Sequence, residues 1–190
     1  MDAPLVHIFR NPILDMVYAS VEAGSKRECL GDIFGRIPGG IRRDFVVDNV
    51  CNIALFKYAK GDRLEQNKLA AGRLGDLRRT LPRAFPLIGY FHSHPQRNKT
   101  LATDELPEMS DTDIANLDKF GYLGIIVAIE HSKRQFLWEA RKDGSIGGTL
   151  LGKEIVFYAY RLLKEGDKKV PQMLRIVAPS ALAILNASRK

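Results

Sequence analysis

The chain has 190 residues, of which 45% are hydrophobic and 27% charged, with a formal net charge of +7. That length suits one compact domain with a sizeable core, and these fractions exclude a disordered or fibrous chain. No apolar run approaches the ~18 residues of a membrane span, and the basic residues are scattered, with small clusters at Arg78-Arg79, Lys168-Lys169 and Arg189-Lys190, as on a solvated surface rather than a nucleic-acid face.

Met1-Asp2-Ala3-Pro4 does not lead a basic stretch into an apolar one, so no secretory signal is expected at this start. Residues 5–9 alternate weakly and predict a short strand. Asn11-Pro12 looks like a helix start, with Asn as cap and Pro in the first turn, and Ile13, Met16, Val17 and Val21 follow at helical spacing up to Gly24. Residues 29–37 are apolar and marked by Gly31 and Gly35, which suits a strand; Gly39-Gly40 signals a turn. Short apolar runs over 44–50 and 52–58 predict one or two strands. Leu64, Leu69, Leu74 and Leu77 form a helical stripe over 62–81, stopped by Pro82.

Residues 86–91 predict a buried strand that runs into His92-Ser93-His94-Pro95, followed by a polar loop over 95–109. Ser110-Asp111-Thr112-Asp113 opens a short helix. Residues 122–129 and 135–141 look like a strand pair about a turn at 130–134. Ile155, Ala159, Leu162 and Leu163 predict an amphipathic helix over 154–165, and a final helix is expected from about Pro179 onward. The apolar segment 170–185 either packs on the core or forms an oligomer interface. Mixed helix and strand without internal repeats gives an α/β or α+β class.

Two cysteines, Cys29 and Cys51, read as reduced thiols of a cytoplasmic protein, and they are too far apart and too few for a structural zinc cage. Of the four histidines, His92 and His94 stand at i and i+2. On a strand that spacing points both imidazoles to one face, as a shared metal requires, although a chance pair is the plainer explanation of this dipeptide alone. His7 and His131 carry no assignable role beyond structure. Ser110 and Asp113 fit a helix-capping pattern, which by itself explains both residues. A rigid, capped helix start would also hold Asp113 where its carboxylate reaches a metal. Two neutral imidazoles and one carboxylate are a typical catalytic zinc set, with the fourth position left for water. Such a water needs a proton acceptor, and Glu28, at the head of an apolar, glycine-marked strand, is the candidate; a solvated strand end is the plainer reading.

Taken together, Glu28, His92-Ser93-His94-Pro95 and Ser110-Asp111-Thr112-Asp113, in this order and within the flanks ECLGDIFG and LIGYFHSHP, resemble the JAMM (MPN-plus, JAB1/MPN/Mov34) zinc metalloproteases. The likeness spans roughly residues 5–165, and both proteasome-lid-type and prokaryotic deubiquitinase-like members share the pattern. It implies an α/β MPN (JAB-like) domain over 1–168, a mixed curved β-sheet flanked by helices, with a C-terminal helical extension over 169–190. It implies one Zn2+ per chain, bound by His92, His94 and Asp113. Glu28 would hold the zinc water, take its proton and pass a proton to the leaving amine, while Ser110 would stabilise the oxyanion. The implied substrate is a peptide or isopeptide bond after the C-terminal tail of ubiquitin or a ubiquitin-like protein.

The stretch 95–109 is longer than the family's usual spacing, which makes Asp104 and Asp111 rival carboxylates; Asp113 alone follows a serine by three residues. That stretch either shapes substrate entry or is a tolerated insertion. Three other readings share these motifs: a non-catalytic MPN scaffold for protein interaction, a DNA-repair-associated relative, and the same chemistry on a sulfur-carrier protein or another peptide.

Overall fold

The computed structural model describes residues 4–24, 28–38, 44–52, 56–60, 63–66, 86–95, 109–120 and 122–188. Strand β1 (Leu5–Ile8) leads into helix α1 (Arg10–Ala23), and strands β2 (Leu30–Arg36) and β3 (Phe45–Asn52) follow. A separate two-stranded sheet pairs β4 (Phe56–Lys60) with β5 (Arg63–Gln66). Then come β6 (Leu87–Pro95), α2 (Asp111–Phe120), β7 (Leu123–His131), β8 (Glu139–Ala140), β9 (Ile146–Leu150), β10 (Lys153–Glu165), β11 (Lys168–Val177) and α3 (Pro179–Ala187).

The main sheet runs β11-β1-β3-β2-β6-β7-β10, and β10 pairs again with β11, so seven strands close on themselves into a barrel. Strands β9 and β8 continue from the first half of β10. This overturns the expected mixed curved sheet flanked by helices of an MPN domain. The barrel dominates, and the described residues hold three short helices.

The closure comes from residues 153–177. The segment 154–165, expected to be an amphipathic helix, is strand β10. Its first half lies antiparallel to β7, from Lys153 opposite His131 to Tyr160 opposite Gly124. Its second half pairs with β11, from Ala159 opposite Leu174 to Glu165 opposite Lys168. The physical reason is the unbroken run Ile155-Val156-Phe157-Tyr158-Ala159-Tyr160. β-Branched and aromatic side chains fit a pleated strand buried on both faces, and this run outweighs the leucine and isoleucine positions that mimic a helical stripe. Gly166, at φ +61°, makes the tight turn to β11. Strand β11 then pairs in parallel with β1, from Leu5 opposite Arg175 to His7 opposite Val177. The expected C-terminal helical segment is therefore a strand up to Val177 and helical only over α3.

Smaller differences have equally local causes. Helix α1 begins at Arg10, one residue before Asn11, so Phe9 and not Asn11 is its N-cap, and the Asn11 side chain accepts a hydrogen bond from Arg10 Nε. Residues 135–141 do not pair with β7; only Glu139–Ala140 is a strand, and it joins β9. Of the helix expected over 62–81, Arg63–Gln66 forms β5, and the rest lies outside the described residues, as does 96–108 of the expected loop.

Strand parity divides the sheet into two faces. One carries the larger core, where Phe91, Ile125, Val127, Ile129, Ile155 and Phe157 pack against Ile13, Met16 and Val17 of α1 and Ala181 and Leu185 of α3. Each large buried apolar side chain contributes about 1.5–3 kcal/mol. The other face carries a smaller cluster, Tyr90, Ile126, Ala128, Val156, Tyr158 and Tyr160, covered by Leu117 of α2. The candidate site lies on this second face.

Candidate metal centre

Strand β6 sits between antiparallel β2 and parallel β7, with His92 opposite Leu30 on one side and Ile126 on the other. Bonded on both edges, it is a rigid support for its side chains. Tyr90, His92 and His94 alternate onto the second face, and Phe91 and Ser93 onto the first. Ser93 is tied down there: its Oγ accepts from Cys29 N at 2.8 Å, and its N–H donates to Cys29 O at 2.9 Å. The His92 and His94 rings meet edge to face at 5.5 Å.

Helix α2 brings the third group. Ser110 is its N-cap: the carbonyl accepts the first helical bond, from Ile114 N, and Oγ accepts from Asp113 N at 3.2 Å. Asp113 Oδ2 accepts in return from Ser110 N at 3.0 Å and from Ser110 Oγ at 2.7 Å. This reciprocal capping box holds one carboxylate oxygen and leaves the other, Oδ1, 3.3 Å from His92 Nε2. The capping reading of Ser110 and Asp113 and the metal-ligand reading thus coexist in one arrangement.

His92, His94 and Asp113 offer three ligand atoms that all lie within 4.8 Å of one another. Tetrahedral ligands on bonds of about 2.0–2.1 Å stand about 3.3–3.4 Å apart, which is the His92–Asp113 separation. Among the described residues, buried His92 Nε2 has no hydrogen-bond partner, the nearby Asp113 carboxylate not being aligned for one. Leaving such an atom unsatisfied costs about 1–3 kcal/mol, and a metal ion removes that cost. Burial lowers the His92 pKa to about 4, against the opposing pull of Asp113 and with a smaller push from His94. The imidazole is therefore neutral, with a lone pair to give. These residues can hold a metal ion.

Of the other residues singled out from sequence, Glu28 is half-buried just before β2. The register of Leu30 with His92, continued by the Cys29–Ser93 bond, sets it opposite His94 at the strand end. It is not among the three converging ligands. Ser110 directs its hydroxyl proton to Asp113, so its present work is to orient that carboxylate. Asp111 is exposed on α2, and Asp104 lies outside the described residues.

Sequence reasoning missed Tyr90. Its hydroxyl donates to the Asp113 backbone carbonyl at 2.8 Å, and its ring stacks on His92 at 6.0 Å and 21°. Burial, and then the Asp113 charge, push its phenol above the usual range, so it stays a donor. The available signal was parity: Tyr90 is two residues before His92 on the same strand.

No protein-family model and no curated protein matches the chain. Among solved structures it is similar to the solution structure of protein DSY2949 from Desulfitobacterium hafniense, at 17% identity and a TM-score of 0.51, over 91% of this chain and 92% of that one. At that identity the likeness shows a shared fold alone.

Proposed function

We propose that the chain is a zinc-dependent peptidase or isopeptidase that cleaves after the C-terminal tail of ubiquitin or a ubiquitin-like protein. The observation that carries this reading is the convergence of His92, His94 and Asp113. Among the described residues no fourth side-chain ligand joins them, and His94 and Ser110 keep solvent-facing surface. Three protein ligands with one side open are the pattern of a catalytic rather than a structural zinc site. The substrate class rests on the motif likeness to the JAMM metalloproteases, which lies in Glu28, His92-Ser93-His94-Pro95 and Ser110-Asp111-Thr112-Asp113 and not in the architecture.

His92, His94 and Asp113 would hold the ion. When bound, zinc lowers the pKa of its water toward ~7 and polarises the scissile carbonyl. Glu28, opposite His94, takes the proton of the attacking water on its carboxylate and hands a proton to the leaving amine. Ser110 fixes Asp113, and to serve as an oxyanion donor its hydroxyl must swing from Asp113 Oδ2 toward the substrate. Cys29 is buried against Ser20 Oγ, which argues against a covalent thiol route. Two free thiols fit a cytoplasmic setting, and no helix among the described residues is long and apolar enough to cross a membrane.

The test is cleavage of a ubiquitin-like fusion by the purified protein, with and without a zinc chelator, beside Glu28→Gln. Chelator-sensitive cleavage after the tail, lost in a variant that still binds zinc, is the expected result. Full activity of Glu28→Gln would remove Glu28 as base, and zinc binding with no cleavage of any ubiquitin-like or sulfur-carrier tail would sink the peptidase reading.

A further inference from the structure

The three ligands come from two elements that are distant in sequence, His92 and His94 from β6 and Asp113 from the first turn of α2. Their spacing holds only if α2 is fixed against β6. Tyr90 makes that link. Its hydroxyl reaches from β6 to the carbonyl of Asp113 itself, 23 positions along the chain, and its ring lies on His92. That carbonyl is in the first turn, so the bond sets the height and rotation of the turn that presents Oδ1. Leu117, one helical turn further on, packs over Gly124 between Tyr90 and Tyr160, where it adds contact but no directional bond.

We infer that Tyr90 is a positioning residue for the metal, holding the Asp113 carboxylate through its hydroxyl and the His92 imidazole through its ring. This inference rests on the metal-site reading above, although not on the choice of substrate. Groups that orient ligands without touching the ion typically change metal affinity ten- to hundredfold when removed. Tyr90→Phe keeps the stacked ring and deletes only the bond to Asp113.

The experiment is a titration of metal-free protein with zinc in competition with a chromophoric chelator, for wild type, Tyr90→Phe and Tyr160→Phe. Tyr160 is the control, a second buried phenol on the same face outside the ligand set. Wild type and Tyr160→Phe should bind alike, and Tyr90→Phe about ten- to hundredfold more weakly. Cobalt(II) in place of zinc should show altered visible bands only in Tyr90→Phe, a change that a merely structural role would not produce. Tyr90→Phe affinity within twofold of wild type overturns the inference, and so does equal weakening in both variants. If Tyr90→Phe does not fold, Tyr90→Leu, which removes hydroxyl and ring without adding bulk or a donor at this buried position, is titrated instead and judged by the same thresholds. If wild type takes up no zinc, the metal reading falls and Tyr90's role falls with it. If wild type binds zinc and the variant binds equally well, the role alone falls.

Discussion

Asp113 divides its carboxylate between two tasks, with Oδ2 on the Ser110 cap and Oδ1 toward His92. Ser110→Ala separates them. Loss of the cap should destabilise the protein by about 0.5–2 kcal/mol in urea unfolding. Freeing Oδ2 should also weaken zinc about ten- to hundredfold. An unchanged zinc affinity would mean that the carboxylate needs no help from Ser110. At this scale the sequence was informative wherever chemistry follows local spacing. His92 and His94 share a face because strands alternate, and Ser110 and Asp113 meet because helix N-termini need caps. Tyr90 was hidden because its partner lies across the fold, and nothing within a few residues announces a phenol-to-carbonyl bond. Ser110 was legible as a helix cap, whereas the donation of its hydroxyl proton to Asp113 Oδ2 was not, since the direction of a hydroxyl proton depends on the neighbour that receives it.

Between elements, the site depends on how closely β2 approaches β6. Gly31 faces Phe91, and a β-carbon there would lie 2.1 Å from the Phe91 ring and 2.7 Å from the Cys51 carbonyl oxygen. Phe91 is fully buried next to His92 and has little room to move. Gly31→Ala should therefore destabilise by about 1–3 kcal/mol or more, measured by chemical unfolding; a loss under about 0.5 kcal/mol, the range of an ordinary surface substitution, would show that the strands part easily. The glycine was visible in sequence as a strand marker, although its reason, the aromatic ring opposite, was not. Helix α1 was legible because it has one dominant period, and strand β6 because its short apolar run is bounded by prolines. Strand β10 was not, because a strand buried on both faces loses the alternation of 2 and leaves its identity to β-branched and aromatic content. The accidental spacing of Ile155, Ala159, Leu162 and Leu163 supplied a false helical period.

For the whole molecule, the misread segments 154–165 and 169–177 change the architecture. With 154–165 helical, β11 has only β1 at its side and the sheet stays open. With it extended, β10 joins β7 to β11, and β11 joins β1, which closes the barrel. The candidate ligands come together despite this change because they sit on β6 and α2, neither of which is a closing strand. Sequence could thus point to the site while missing the frame around it: ligand spacing is local, whereas barrel closure is a pairing between the first strand and the last.

The account stands on the claim that these residues hold a metal, and the most direct test is the metal content of the purified protein, measured by elemental mass spectrometry beside His94→Ala. The account predicts one zinc per chain in the wild type and loss of most of it in the variant, which removes one of three ligands. No metal in the wild type after exposure to zinc, or equal metal in the two proteins, would contradict it.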